Sequence, residues 1–356
     1  MGGAKQSADA VARSLCQIAP MQLKTAGIVA GFAAPLALLL TISSPALAQR
    51  NAVESWDPSS REFGRSTIEP NLPTEQRNTT LESLDKILAS SRLSAFDRSI
   101  YLSIRAYQLS RVGREADSQK DIVEMGKVLP AAWPLVLSGT VPELAGGGDR
   151  AAALRTLGSA LQQKPGDSWL VIAQAQIYMQ LADFQRALGL LDEALAGSTS
   201  PVDRRTALYY RGLAQFNLGQ YGAAADDFDA TLAGRTTLKS RLGPLLWRYA
   251  AQMRSRRDAR GMLAKAVTNE DLSEWPGPIA TFLLGRLAAG ELEVMAESED
   301  AAKRSNGRCP SSFFMGMDAL RRGDKQRARE QLQLTQARCP TISELNWAAA
   351  SELKRL

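Results

Sequence analysis

Histidine is absent from all 356 residues. That absence excludes a Ser/His/Asp or Cys/His nucleophile, a histidine-ligated metal and an imidazole general base. There is no GxxxxGK[ST] phosphate-binding loop, and the glycine-rich "AGGGDR" at 145–150 follows no strand pattern, so it reads as a hairpin turn. Cysteines number only three, and charged residues make up only 22% of the chain against 45% hydrophobic ones. That balance suits a globular protein with a real core and is too apolar for global disorder.

Residues 1–48 read as an export leader. Lys5, Arg13 and Lys24 precede an apolar run from Ala26 to Ile42, and "SSPALA" ends at Ala48 with small residues at Ala46 and Ala48. The alternative is an uncleaved inner-membrane anchor over 26–42, a run of about 17 residues at the lower edge of what spans a bilayer. Cleavage after Ala48 gives a periplasmic protein without a stable membrane anchor, because Cys16 lies before the apolar run and cannot carry a lipid after it. It takes Lys plus Arg from 43 to 40 and Asp plus Glu from 37 to 36, so the net charge falls from +6 to +4. No nucleic-acid partner is expected at that charge.

Residues 49–78 carry three prolines and no helical period, and they are expected to be a flexible spacer. "TTLE" at 79–82 has the form of a capping box, with Leu81, Leu84, Ile87 and Leu88 at helical spacing behind it. Order is expected from 79 to 356.

The stretch "YGAAADDFDA" (221–230) recurs in outline along the chain. Each copy has a turn, a small residue, and an apolar residue four positions later: Ala153 with Leu157, Ala187 with Leu191, Ala224 with Phe228, Ala259 with Leu263 and Ala328 with Leu332. Ser118 with Ile122 is a weaker copy. Successive small residues stand 35, 34, 37, 35 and 69 positions apart, the last being two periods. A first helix precedes each turn, clearest in "ALYYRGLAQFNLG", where Gly212 suits a closely packed hairpin.

This pattern resembles tetratricopeptide repeats. The resemblance implies an all-α, right-handed superhelical solenoid of helical hairpins. Its units fall at about 99–132, 134–167, 168–201, 205–238, 240–273 and 309–342. A degenerate unit lies at 274–308, and a capping helix covers 343–356. In that register Ala224 and Phe228 form the buried face, so Asp226, Asp227 and Asp229 are expected in solvent rather than around a metal. Cys309 opens the first helix of the last unit and Cys339 ends its second, which brings them together as a disulfide, two free thiols being the alternative.

Solenoids present a concave surface to partners. The first-helix residues expected there are Tyr107, Trp169, Gln176, Gln180, Tyr209, Asn217, Arg248 and Gln252. As a set they suit an extended peptide or a partner helix, while each aromatic singly is as well explained by packing between repeats. Charge is blocked: nine basic residues and one acid between Arg235 and Lys265, then eight acids against Arg286 between Glu270 and Asp300. Opposite blocks can steer an acidic partner or complement a second copy, and they also simply confer solubility.

"EWPGPIATFLLGRLAAGELEVM" (274–295) with "FFMGMDALRRGDKQRAREQLQLTQARCP" (313–340) resembles the NlpI-like group of bacterial periplasmic repeat proteins. That resemblance implies a homodimeric adaptor without catalytic, metal or cofactor sites, which brings peptidoglycan hydrolases to a protease or to each other. The chain departs from the group in lacking a lipidated cysteine and in carrying the Cys309/Cys339 pair. Two other readings stay open: a subunit of an outer-membrane assembly or polysaccharide export machine, and a glycan-acting envelope enzyme working through carboxylates.

Overall fold

The computed structural model describes residues 74–146, 148–198, 200–297 and 301–356. The leader, its alternative as an anchor at 26–42, Cys16 and most of the 49–78 spacer lie outside the described residues. Among the described residues all regular structure is helical. Helix α1 is Thr74–Leu88. It runs straight through "TTLE", so that motif is interior rather than a cap. "TEQRNTTLESLDKIL" contains neither glycine nor proline, and nothing interrupts the helix upstream until Pro73.

The remaining helices form antiparallel pairs. They are α2 (Ala95–Arg111) with α3 (Glu115–Val128), α4 (Trp133–Gly146) with α5 (Arg150–Gln163), and α6 (Ser168–Gln180) with α7 (Phe184–Gly197). Next come α8 (Pro201–Leu218) with α9 (Tyr221–Ala230) and α10 (Leu238–Arg254) with α11 (Ala259–Ala266). Two short helices, α12 (Gly277–Leu283) and α13 (Ala289–Met295), occupy the degenerate slot. The last pair is α14 (Ala301–Arg321) with α15 (Lys325–Arg338), and α16 (Glu344–Leu353) follows it.

Local chemistry sets these boundaries. Ser94, Asp149, Asp167, Asp183, Ser200, Thr237, Asp258, Asp324 and Ser343 each sit at a helix N-cap and accept from a backbone N–H of the first turn. Gly219 ends α8 in the left-handed region, at φ 81°, where its lack of a Cβ removes the steric penalty. Ala182 and Arg256 take the same conformation in the corresponding turns. Side chains there are the reason the turns are harder to read than a glycine signal would allow.

The small-then-large pattern builds the interior. Ala153, Ala187, Ala224 and Ala328, with Leu157, Leu191, Phe228 and Leu332, are all fully buried. The ring of Phe228 lies where a Cβ on Gly212 would be, about 2.9 Å away, and Leu332 stands in the same relation to Gly316 at 3.1 Å. A Gly212→Val exchange should therefore cost roughly 1–3 kcal/mol by overpacking. A drop in the urea midpoint at unchanged m-value would show it, and an unshifted midpoint would mean that α8 and α9 are not pressed together at this point.

Asp227 departs from the expected solvated position. It is 6% exposed, and Arg211 grips it in a bidentate pair at 2.7 Å for each arm while also donating to Asp192 at 2.8 Å. Arg105 holds Asp121 and Asp85 in the same way, at 2.8, 2.7 and 2.6 Å. The two arginines lie three repeat periods apart, so this is one repeat position used twice. Each clamp ties the first helix of a hairpin to its second helix and to the preceding helix. Burial pushes the Asp121 carboxyl up against the pull of Arg105, and the two-armed contact fixes the register of α2 against α3. Asp226 and Asp229 stay exposed and pair with Arg257 and Arg248.

Candidate functional site

The C-terminal helix, α16, lies against the first helix α8 and against both helices of the last hairpin. Its apolar stripe, Leu345, Ala348 and Ala349, is fully buried in the same cluster as Tyr209 and Leu213 of α8. Ile342, in the connection before α16, presses on Gly146 at the end of α4, leaving no room there for a Cβ. Helix α16 thus reaches units far earlier in the chain than the one it follows.

Polar contacts fix its register. The Tyr209 hydroxyl donates to Glu344 at 2.9 Å, and the Ser351 hydroxyl donates to Asn217 Oδ1 at 2.8 Å. Those pairings run α16 alongside α8 in the same direction, since eight residues of α8 and seven of α16 climb about 12 and 10 Å respectively. Glu352, only 1% exposed, accepts from the Tyr221 hydroxyl and from Arg355 of its own helix at 3.1 Å, and forms an ion pair with Arg254 at 2.9 Å, which in turn donates to the Tyr221 hydroxyl at 3.0 Å. Arg254 also stacks over the Tyr221 ring, 4.7 Å from its centre. Burial and the adjacent Glu352 push the Tyr221 hydroxyl up. Arg355 reaches the Asn217 carbonyl, whose side-chain amide donates to Leu213 O at 2.8 Å.

The eight expected groove residues have separate fates. Tyr209 and Asn217 meet under α16. Tyr107 is 1% exposed, donates to the Leu144 and Asp149 carbonyls at 3.3 and 3.4 Å, and has its hydroxyl pushed up to about 12, chiefly by burial. It joins neighbouring hairpins. Trp169 packs between Leu135 and Val202, and Gln180 donates to the Pro142 carbonyl at 2.8 Å. Gln176 and Gln252 are buried. Arg248 turns to Asp229 and to the Met262 carbonyl, toward second helices. Tyr221, Arg254, Glu344, Ser351 and Glu352 carry the contacts that the sequence reading did not single out. The spacing of Leu345, Ala348, Ala349 and Glu352 marks an amphipathic helix, but no local signal says which surface it covers.

Among the described residues no group of three or more Cys, Asp or Glu could hold a metal ion. No helix among them is long and apolar enough to cross a membrane. The sulfurs of Cys309 and Cys339 stand 2.09 Å apart, with Cα atoms at 4.9 Å.

Fold and repeat register together define an α-solenoid of helical hairpins. Two family descriptions, each "Tetratricopeptide repeat", match residues 144–199 and 172–237, so the chain carries tetratricopeptide repeats there. Among solved structures the chain is similar to a tetratricopeptide repeat protein from Parabacteroides merdae ATCC 43184, at 19% identity and a TM-score of 0.37. That similarity covers 76% of this chain and 99% of the other. No curated protein matches the sequence.

Proposed function

We propose that this protein is an exported, non-enzymatic scaffold that holds envelope proteins on the face lined by its first helices. The observation that carries the reading is that this face already seats a helix. Leu345, Ala348 and Ala349 fill it, while Tyr209, Asn217, Tyr221 and Arg254 supply directional contacts. Such a surface fits the helix-in-groove mode of recognition, in which apolar anchors give affinity and polar groups set register. The leader pattern of residues 1–48 supports a periplasmic, anchor-free mature chain beginning at Gln49. A cysteine pair placed for bonding fits an oxidising compartment. The resemblance to the NlpI-like group implies a homodimeric adaptor, with peptidoglycan hydrolases and a protease as candidate partners.

Affinity capture tests this directly. The mature chain, tethered and exposed to periplasmic extract, is expected to retain envelope proteins at physiological salt. Retention of nothing beyond what an unrelated helical protein holds would reject the scaffold reading.

A further inference from the structure

We infer that α16 is a resident ligand, and that the partner which displaces it is an amphipathic helix with a hydrogen-bond acceptor and, eight residues later, a carboxylate, flanking a leucine and alanine stripe. The inference rests on reading the inner face as the binding surface, and it names the chemistry of the partner. A plain end cap covers the elements just before it, here α14 and α15. Helix α16 does touch these, and Asn346 donates to the Cys339 carbonyl at the end of α15, but the side chains of Glu344, Ser351 and Glu352 bond elsewhere. Tyr209, Asn217, Tyr221 and Arg254, which receive it, lie on α8, α9 and α10, and each of the three hydrogen bonds from Tyr209, Tyr221 and Ser351 joins residues more than 130 apart in sequence.

The contacts divide by chemistry. Carboxylates at the two ends of α16, Glu344 and Glu352, each take a tyrosine hydroxyl from the solenoid, and Arg254 adds a cation at the second. Between them the stripe of Leu345, Ala348 and Ala349 is small enough to let the helix settle into the cluster around Leu213. Removing α16 would leave the Arg254 charge and two tyrosine hydroxyls beside an apolar trough. A neutral acceptor can take the tyrosine hydroxyls, but only a carboxylate also matches the Arg254 charge, which in the chain lies 2.9 Å from Glu352 while donating to the Tyr221 hydroxyl at 3.0 Å. The receiving face therefore selects for acid at the Arg254 end of the stripe and for a hydrogen-bond acceptor at the Tyr209 end.

The occupant is also built to leave. A helix of ten residues has little stability alone in water, so α16 is ordered only while the groove holds it. A short connection, 340–343, joins it to α15, and a tether of that kind gives an effective concentration on the order of 1 mM. A free helix making the same contacts competes on equal terms at about that concentration, and a tighter one competes below it.

Hydrogen exchange on the full chain, with and without a synthetic peptide of residues 341–356, decides the matter. In the chain alone, amides of α16 should exchange at least tenfold faster than those of α8, through local opening. Peptide at about 1 mM should release roughly half of α16 and raise its exchange, while α8 stays protected. A peptide with both Glu344→Gln and Glu352→Gln should need at least tenfold more for the same effect. Three results would each overturn the inference: α16 exchanging only as slowly as α8, no response to the peptide, or equal potency of the neutral peptide. None of these outcomes depends on finding a cellular partner, so a failed affinity capture alongside peptide displacement would remove the scaffold role and leave the resident ligand standing.

Discussion

Trp247→Ala should lower the stability of the chain by about 3–5 kcal/mol, the cost of emptying a large aromatic site in a core that cannot fully collapse. Trp247 is completely buried. Its ring stacks on Phe228 at 5.9 Å and meets Phe216 at 5.4 Å and Phe313 at 5.3 Å. Those partners come from α8, α9 and α14, so one side chain of α10 joins two units that are separated in sequence by the short α12 and α13. Because the helices of that slot are short, α14 packs directly against α10. The loss would be a large fraction of the 5–15 kcal/mol typical of a native protein. Urea unfolding followed by far-ultraviolet circular dichroism reads it, with Val294→Ala, at a site 74% exposed, as the control. The control should change stability by no more than about 0.5 kcal/mol. A Trp247→Ala loss below about 1 kcal/mol would mean that the aromatic cluster does not bind the two units together.

Reduction of the Cys309–Cys339 pair should cost roughly 3–4 kcal/mol on the chain-entropy estimate, because it frees a loop of 30 residues in the unfolded chain. The effect should spread beyond the last hairpin. Cys339 ends α15, and its carbonyl accepts from the Asn346 side-chain amide at 3.1 Å, so the bridge also holds the point from which α16 departs. Thermal unfolding with and without dithiothreitol should show a lower midpoint in the reduced chain, and α16 should exchange hydrogen faster under the same conditions. A midpoint indifferent to the reductant would show that the pair closes no constraining loop in solution.

The helical hairpins were legible because their signal is local and repeated. A small residue followed four positions later by a large one reappears every 34 or so positions, and physical packing requires both members: Ala224 lets the helices approach, and Phe228 fills the space against Gly212. The start of α1 was not legible, since "TTLE" has the residues of a cap inside a segment with no helix breaker. Asp227 looked like one of three surface acids. What sets it apart is Arg211, sixteen positions earlier, and only the antiparallel geometry of α8 and α9 brings the two together. Of the candidate site only two residues were legible. Tyr209 and Asn217 belong to it, but Tyr107 and Arg248 serve contacts between helices, which helix phase alone does not distinguish from a binding face. The long-range return of α16 to α8 has no sequence period at all. It depends on Glu344, Ser351 and Glu352 finding partners more than 130 positions away.

Hydroxyl-radical footprinting of the full chain, free and in complex with a captured protein partner, tests the central claim most directly, because it reads both faces at once without any substitution in the sequence. Trp347, half-buried on α16, should gain reactivity as that helix leaves, while Tyr221 stays shielded by the incoming helix and the exposed Met262 and Met295 react as before. Loss of reactivity at Met262 and Met295 with Trp347 unchanged would place the partner on the outer surface and contradict the account.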